Sequence, residues 1–557
     1  MTTRILKSDK RQVIWLLLCL FFMFQSCNDD DEAFPRADFT FISTDGTGEV
    51  NFTNLSENAV NYTWDFGDNT ISTLVNPVHF YEEGGQYQVE LRAYNSANDY
   101  DATTLMVNVE DVDVDLPSTV DFYLTTPNRS SLLELTTDGI LPMTNNSNST
   151  ITVSDQTTYQ EMDGFGFALT GGSAFHLNSM GSSQRADLLN ELFSPNGIGI
   201  SYLRVSVAAS DLNAEPFSYD DLPAGQTEDL NLDHFSIAKD EENLIPVLQE
   251  ILAINPDIKI LGSPWSAPSW MKTSNSTIGG SLKPEYYSVY ANYFVKYIQA
   301  YQAEGITIDA LSVQNEPHHD SNNPSMRMEA NEMATFVKND LGPAFASANI
   351  QTKIIVWDHN ADNVNYPISI FNDVAANQYI DGSAFHLYAG SINNLSQVHN
   401  SHPDKNLYFT EQWVSSTGNF GGDLAWHIKN LMVGATRNWC KNVLQWNLTS
   451  NPQLEPHTPG GCTQCLGGLT INGNSVARNV GYYIIGHSSK FVPSGSVRIE
   501  SNTLSNFPNV AYKTPEGKIV VIVLNDSGAE NSININVQSE PITVTLPAGA
   551  AATFVWD

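Results

Sequence analysis

Residues 310–317 read Ala-Leu-Ser-Val-Gln-Asn-Glu-Pro. Ala310, Leu311 and Val313 form a short apolar run of the kind buried on both faces of a parallel sheet. The run stops abruptly at an amide, a carboxylate and a proline. Pro317 has no backbone N–H to donate and so ends the strand. Asn315 and Glu316 are left at its carboxyl end, the edge where parallel α/β folds hold their reactive groups.

Outward from this strand the pattern repeats. Eight strand candidates occur at 164–169, 202–207, 258–262, 310–314, 353–357, 383–386, 407–410 and 443–446. Amphipathic helical stretches alternate with them, among them 242–254, 286–303, 331–341 and 424–437, and the third of these meets a helix-end signal at Gly342-Pro343. Eight strands with intervening helices across residues 161–490 predict an α/β fold, a (β/α)8 TIM barrel rather than an open sheet.

In such a barrel the positions just past the strands converge on one face. They hold Arg204 and Asp211 after the second strand, Trp265 after the third, and Asn315 and Glu316 after the fourth. Trp357-Asp358-His359-Asn360 follows the fifth, His386 and Tyr388 the sixth, Glu411 the seventh and Trp446 the eighth. Two carboxylates among aromatic faces and amide or imidazole donors suit a sugar, whose rings stack and whose hydroxyls need polar partners. Glycoside hydrolysis needs such a pair, one carboxyl protonating the leaving oxygen while the other attacks the anomeric carbon or activates water. The fourth and seventh strands lie on opposite sides of the barrel, so Glu316 and Glu411 can face each other. That chemistry requires no metal and no cofactor. It does require one of the two protonated while the other is ionised, so their environments are expected to push the two pKa values apart.

The flanks read differently. Residues 34–112 alternate with period two between Gly, Asn and Asp turns, an all-β module in which Trp64 is expected in the core. Period two is found again at 120–125 and 150–153, and from 497 to the end. This predicts a C-terminal β-sandwich over 491–557 that recruits strands from 118–160. A formal charge of −36 disfavours nucleic acid and anionic lipid or polysaccharide partners. At the N-terminus, Arg4, Lys7, Lys10 and Arg11 precede an apolar run at 13–24 that is too short to span a bilayer comfortably. Beyond the signal segment 1–27, the cysteines are Cys440, Cys462 and Cys465. Cys462-Thr-Gln-Cys465 is read as a small structural disulfide loop, since no second Cys pair or nearby His pair completes a zinc site.

Several of these stretches carry family likenesses. Gln25-Ser26-Cys27 resembles a bacterial lipobox with Cys27 as the lipidated residue, and the acidic run 28–32 resembles the surface-export signal of Bacteroidota lipoproteins. Together they imply an outer-membrane lipoprotein exposed at the cell surface and held only by its N-terminal lipid. Tyr62-Thr-Trp-Asp-Phe-Gly-Asp68, with Asn76-Pro77 and Gly85-Gln-Tyr87, resembles the immunoglobulin-like PKD domain, which implies a spacer or a contact with other surface proteins or glycan.

The barrel motifs Gly164-Phe-Gly-Phe-Ala-Leu169, Ser263-Pro-Trp-Ser-Ala-Pro-Ser-Trp270, Asn315-Glu-Pro317, Ala384-Phe-His-Leu-Tyr388, Thr410-Glu-Gln-Trp413 and Gln445-Trp-Asn447 resemble glycoside hydrolase family 30. The resemblance implies a retaining barrel enzyme with an attached β-sandwich, Glu316 as acid/base and Glu411 as nucleophile. It further implies that Asn315 binds the sugar 2-hydroxyl and that Arg204 orients the nucleophile's surroundings. Asp211, Trp265 and Trp446 would line the −1 subsite, with His386 and Tyr388 flanking the nucleophile. The loop Gly460-Gly-Cys-Thr-Gln-Cys465 resembles the β-1,6-glucanases of that family, so the implied substrate is β-1,6-glucan or the β-1,6 branches of a β-glucan. A glucosylceramidase-like β-glucosidase and a non-catalytic glycan-binding surface lipoprotein are the competing expectations. Retention of Glu316, Glu411 and Asn315 argues against the last.

Overall fold

The structure, a computed structural model, describes residues 33–43, 48–81, 84–109, 120–136, 139–143, 146–537 and 541–557. The signal segment, Cys27 and the acidic stretch before Pro117 lie outside them. The chain divides into two compact units, residues 1–114 and 115–557.

The first unit is built of two antiparallel sheets. One pairs Phe39–Ser43, Glu49–Asn54 and Val78–Phe80, and the other orders Ile71–Ser72, Asn61–Asp65, Gly85–Tyr94 and Tyr100–Val109. Alternate residues point inward, so Phe39, Phe52, Trp64, Val89 and Leu91 share one core. Trp64 is fully buried and its indole N–H donates to the Leu74 carbonyl, so it packs in the core as its place in an alternating strand predicts.

The second unit holds a closed parallel barrel of eight strands, here β1 (Gly164–Ala168), β2 (Tyr202–Ser206), β3 (Lys259–Ser263), β4 (Ala310–Ser312), β5 (Lys353–Ala361), β6 (Ile380–Gly390), β7 (Asn406–Glu411) and β8 (Cys440–Asn447). Tyr202, Leu261, Ala310, Ile355, Ala384, Tyr408 and Leu444, one from each of β2–β8, fill the interior as a single apolar cluster. Because strand side chains alternate, the residue two further along faces the same interior. Those positions are Arg204, Ser263, Ser312, His386, Thr410 and Trp446, while on β5 a register slip replaces the expected Trp357 with Asp358. A polar layer therefore sits directly above an apolar one.

Around the barrel, ten strands form a second sheet in which Val120–Thr125 pairs with Ala551–Trp556, and Thr150–Glu161 lies between Asn531–Val537 and Val497–Ser501. Ile519–Leu524 is buried at every residue because its two faces serve different cores. Ile519, Val521 and Val523 pack inside the sandwich, whereas Val520, Ile522 and Leu524 pack against the barrel unit.

The stop expected at Gly342-Pro343 is absent. The helix Ala330–Phe336 continues through a π-turn, Val337–Leu341, into Gly342–Ser347. Pro343 follows directly on the π-turn, and its missing N–H falls where the regular i→i−4 ladder is already interrupted. Gly342 is helical, and a Cβ there would meet the Tyr379 ring at 2.3 Å, so close packing rather than helix termination explains the glycine.

Candidate active site

The site grows from the polar layer. Arg204 on β2 is fully buried and fans its guanidinium across four strands. Nη1 donates to Glu411 Oε2 at 2.5 Å, while Nη2 donates to Asn315 Oδ1 at 2.6 Å, Asp358 Oδ2 at 2.8 Å and Ser263 Oγ at 3.2 Å. Trp265 and Trp446, tilted against each other, place their rings 4.8 and 5.8 Å from its Cζ. A planar fork with several fixed donors is what this arrangement needs, and lysine would not supply it.

Asp358 is the charge that the strand pattern conceals. By period two Trp357 would face inward, but both Trp357 (φ 72°) and Asp358 (φ 56°) are left-handed and the register of β5 against β6 slips there. The slip turns Trp357 toward Tyr366 and brings Asp358 beneath the cleft. Asp358 also accepts from Ser263 Oγ and Thr410 Oγ1, at 2.7 and 2.6 Å, and pairs with His386 Nε2 at 3.2 Å. Burial opposes its charge, but Arg204 and His386 outweigh burial and hold its carboxyl well below the usual range.

His386 carries this charge toward the glutamates. Its Nδ1 lies 3.0 Å from Glu316 Oε1 and 4.0 Å from Glu411 Oε1, so those two oxygens are within about 7 Å of each other. That bound reaches the spacing of about 5–5.5 Å used by retaining glycosidases and excludes most of the inverting range of about 6.5–9.5 Å. Tyr388 Oη donates to Glu411 Oε1 at 3.0 Å, and Asn360 Oδ1 fixes the Tyr388 backbone N–H at 2.9 Å. His359 Nδ1 stands 3.4 Å from Glu316 Oε1. Asp211 is buried beside the cleft and accepts from the Cys462 backbone N–H at 3.1 Å. Asp211, Asn315, Glu316, Asn360, Tyr388, Glu411, Trp265 and Trp446 line a cleft of about 260 Å³ together with His319, Asn322 and Trp413.

One expectation is corrected. Burial alone would raise the Glu316 carboxyl, yet the hydrogen bonds and positive charge of His359 and His386 hold it well below the usual range. Burial would lower the His386 imidazole, but Glu411, Asp358 and Glu316 push it up to about 9. The surrounding carboxylates thus favour the imidazolium form of His386, next to Glu316. The expectation of a protonated Glu316 omitted the buried Asp358 that makes imidazolium the favoured form.

Of the barrel residues expected in the site, Asp211, Trp265, Asn315, Glu316, Tyr388, Glu411 and Trp446 line the cleft, and Arg204 and His386 lie beneath it in contact with the glutamates. Ser263, Thr410, Asp358, Asn360, His319 and Asn322 join them. Their signal was present in the polar runs past the strands, but nothing in those runs separates cleft residues from solvated loop. The expected small loop is a disulfide between Cys462 and Cys465, and Cys440 is a buried free thiol on β8.

A (β/α)8 barrel that presents two close carboxylates among tryptophans at the carboxyl ends of its strands is a glycosidase barrel. The chain belongs to glycosyl hydrolase family 30: the family's TIM-barrel domain matches residues 162–492 and its β-sandwich domain residues 495–554, and a PKD domain matches 35–109. It is a glycoside hydrolase of that retaining family. It is 35% identical to the endo-1,6-β-D-glucanase neg1 of Aspergillus fumigatus over 71% of this chain and 85% of that protein. It is 27% identical to the lysosomal acid glucosylceramidase of Mus musculus over 77% of this chain and 87% of that one. Among solved structures, the endo-β1,6-glucanase BT3312 superposes with a TM-score of 0.73 at 34% identity, covering 79% of this chain and 99% of that one.

Proposed function

We propose that this protein is a retaining endo-β-1,6-glucanase working by double displacement, with Glu411 as nucleophile and Glu316 as acid/base. The observation that carries the reading is the Arg204 fork. One guanidinium pairs with Glu411 through Nη1 and fixes the Asn315 amide oxygen through Nη2, which leaves the amide nitrogen of Asn315 for a sugar 2-hydroxyl.

A glucose unit would stack against Trp265 and Trp446 and place its anomeric carbon by Glu411. Glu411 attacks that carbon while Glu316 protonates the departing oxygen, using the proton that His386 holds in the free enzyme. Glu316, again a carboxylate, then takes a proton from water as the water attacks the glycosyl–Glu411 ester, and β configuration is restored. The relatives named as endo-1,6-β-D-glucanases support the linkage. The lipobox and acidic run support attachment to the outer membrane by a lipid on Cys27, facing outward, with the PKD unit as spacer or as a contact for glycan or other surface proteins.

The test is hydrolysis of pustulan, laminarin, gentiobiose and glucosylceramide, with product anomers followed by NMR. The reading expects pustulan to be cut to oligomers whose first-formed reducing ends are β. Initial α-anomers, or turnover of glucosylceramide alone, would overturn it. For the anchor, radiolabelled palmitate should enter the wild-type chain and not C27A.

A further inference from the structure

The disulfide Cys462–Cys465 closes a ring with a sequence separation of only 3. Chain-entropy stabilisation grows with loop length, so so small a ring contributes least to global stability. Its placement points to a local use. Both cysteines line the cleft, and both pack in the apolar cluster that holds Trp265, Trp446 and Trp413.

The ring is tied at both ends to parts of the site. Leu466, just after it, pairs with Val414, three residues beyond Glu411, and the Cys465 carbonyl accepts from Asn447 at the end of β8. On the other side, the Cys462 N–H holds Asp211 Oδ2, and the Thr458 N–H holds the Asp211 carbonyl at 2.8 Å. Gly461 fits between these because it has no Cβ, which would stand 2.5 Å from the Asp211 carbonyl oxygen. Asp211 Oδ1 is buried in the cleft wall facing the Asn322 side-chain amide, outside close hydrogen-bond geometry. A carboxylate with one oxygen pinned by the ring and the other turned into the cleft keeps lone pairs for a ligand hydroxyl.

We propose that the Cys462–Cys465 disulfide is a positioning element for Asp211. It stiffens the loop whose backbone N–H pins Oδ2, so that Oδ1 is presented to a hydroxyl of the bound glucose unit. This rests on the reading of the cleft as a glucose site. Reduction by a dithiol, which gives up two electrons and two protons and closes to a cyclic disulfide while Cys462 and Cys465 become two thiols, would free the loop and weaken sugar binding.

The test is a thermodynamic cycle on the full chain. Isofagomine, a glucose-configured iminosugar, is titrated by calorimetry into wild type, C462S/C465S, D211N and the triple variant. The proposal expects C462S/C465S to weaken binding by about tenfold, the scale of a lost hydrogen bond to a charged group. It also expects the triple variant to bind no more weakly than D211N, because the ring acts through Asp211. Dithiothreitol-reduced wild type should match C462S/C465S, which keeps the question answerable if that variant folds poorly. Unchanged binding on removing the ring, or losses that multiply in the triple variant, would overturn the proposal while leaving the glucose site standing. Wild type that neither binds isofagomine nor cuts pustulan would overturn the glucose site itself.

Discussion

His386 Nδ1 lies 3.0 Å from Glu316 Oε1, with Asp358 behind the same ring at 3.2 Å from Nε2. The imidazole is thus a buried cation between two carboxylates. Its folded value of about 9 is above its ordinary 6.5, so the charge stabilises the fold fully below pH 6.5 and that stability is lost as pH rises through 9. The loss is about 3 kcal/mol, counted once for the coupled His386–Glu316 pair. Thermal midpoints of wild type should fall between pH 6.5 and 9, and H386N should be flatter over that window. Parallel curves would contradict the assignment.

The two glutamates should fail differently. E411Q removes the attacking atom, and turnover of every substrate should drop by at least about 10⁴-fold. E316Q removes the proton donor only, so aryl glucosides with acidic leaving groups should retain their first step and pustulan should not. Steady-state kinetics on both substrate types reads the difference, and equal losses in E316Q would reject its role as acid.

Asp358 touches no expected sugar atom, yet it controls the proton. D358N removes the buried anion that favours imidazolium, so His386 should lose its proton at lower pH. The basic limb of kcat/KM should move down by about one unit or more, whereas R204K should lower kcat by about 10²–10³-fold with little shift in that limb. A D358N profile with an unmoved limb would show that the proton is held elsewhere.

How far the residues alone reveal this follows from range. The barrel is legible because β1–β8 are buried runs whose burial is local in origin, and Glu316 and Glu411 are legible because each directly ends such a run. The bulge at Trp357-Asp358 is not. A non-glycine residue enters the left-handed region at a cost of order 1–3 kcal/mol only when surroundings demand it. Here the demand is Arg204, more than 150 positions earlier. Gly342-Pro343 misleads for a similar reason. A pair that commonly marks a helix end fits inside this helix because Tyr379 needs the space that a Cβ would take.

Asp211 sets function against stability. Burial, then the nearby charge of Glu411, pushes its carboxyl up to about 6, above the ordinary 3.8. Between those values the folded chain binds more proton than the unfolded one, so this group's contribution to stability falls as pH rises through that window. Asparagine is nearly isosteric and keeps an oxygen for the Cys462 N–H, but carries no charge to bury. D211N should therefore be more stable than wild type at pH 7, by about 2–3 kcal/mol if the whole shift is recovered, and no more stable at pH 3.5. Its kcat/KM on pustulan should nonetheless fall, since a carboxylate accepts from a sugar hydroxyl more strongly than an amide does. Urea denaturation at the two pH values, alongside kinetics at pH 7, measures both. A D211N protein less stable than wild type at pH 7 would mean that Asp211 is charged and well satisfied in the resting site, and the raised carboxyl would be wrong.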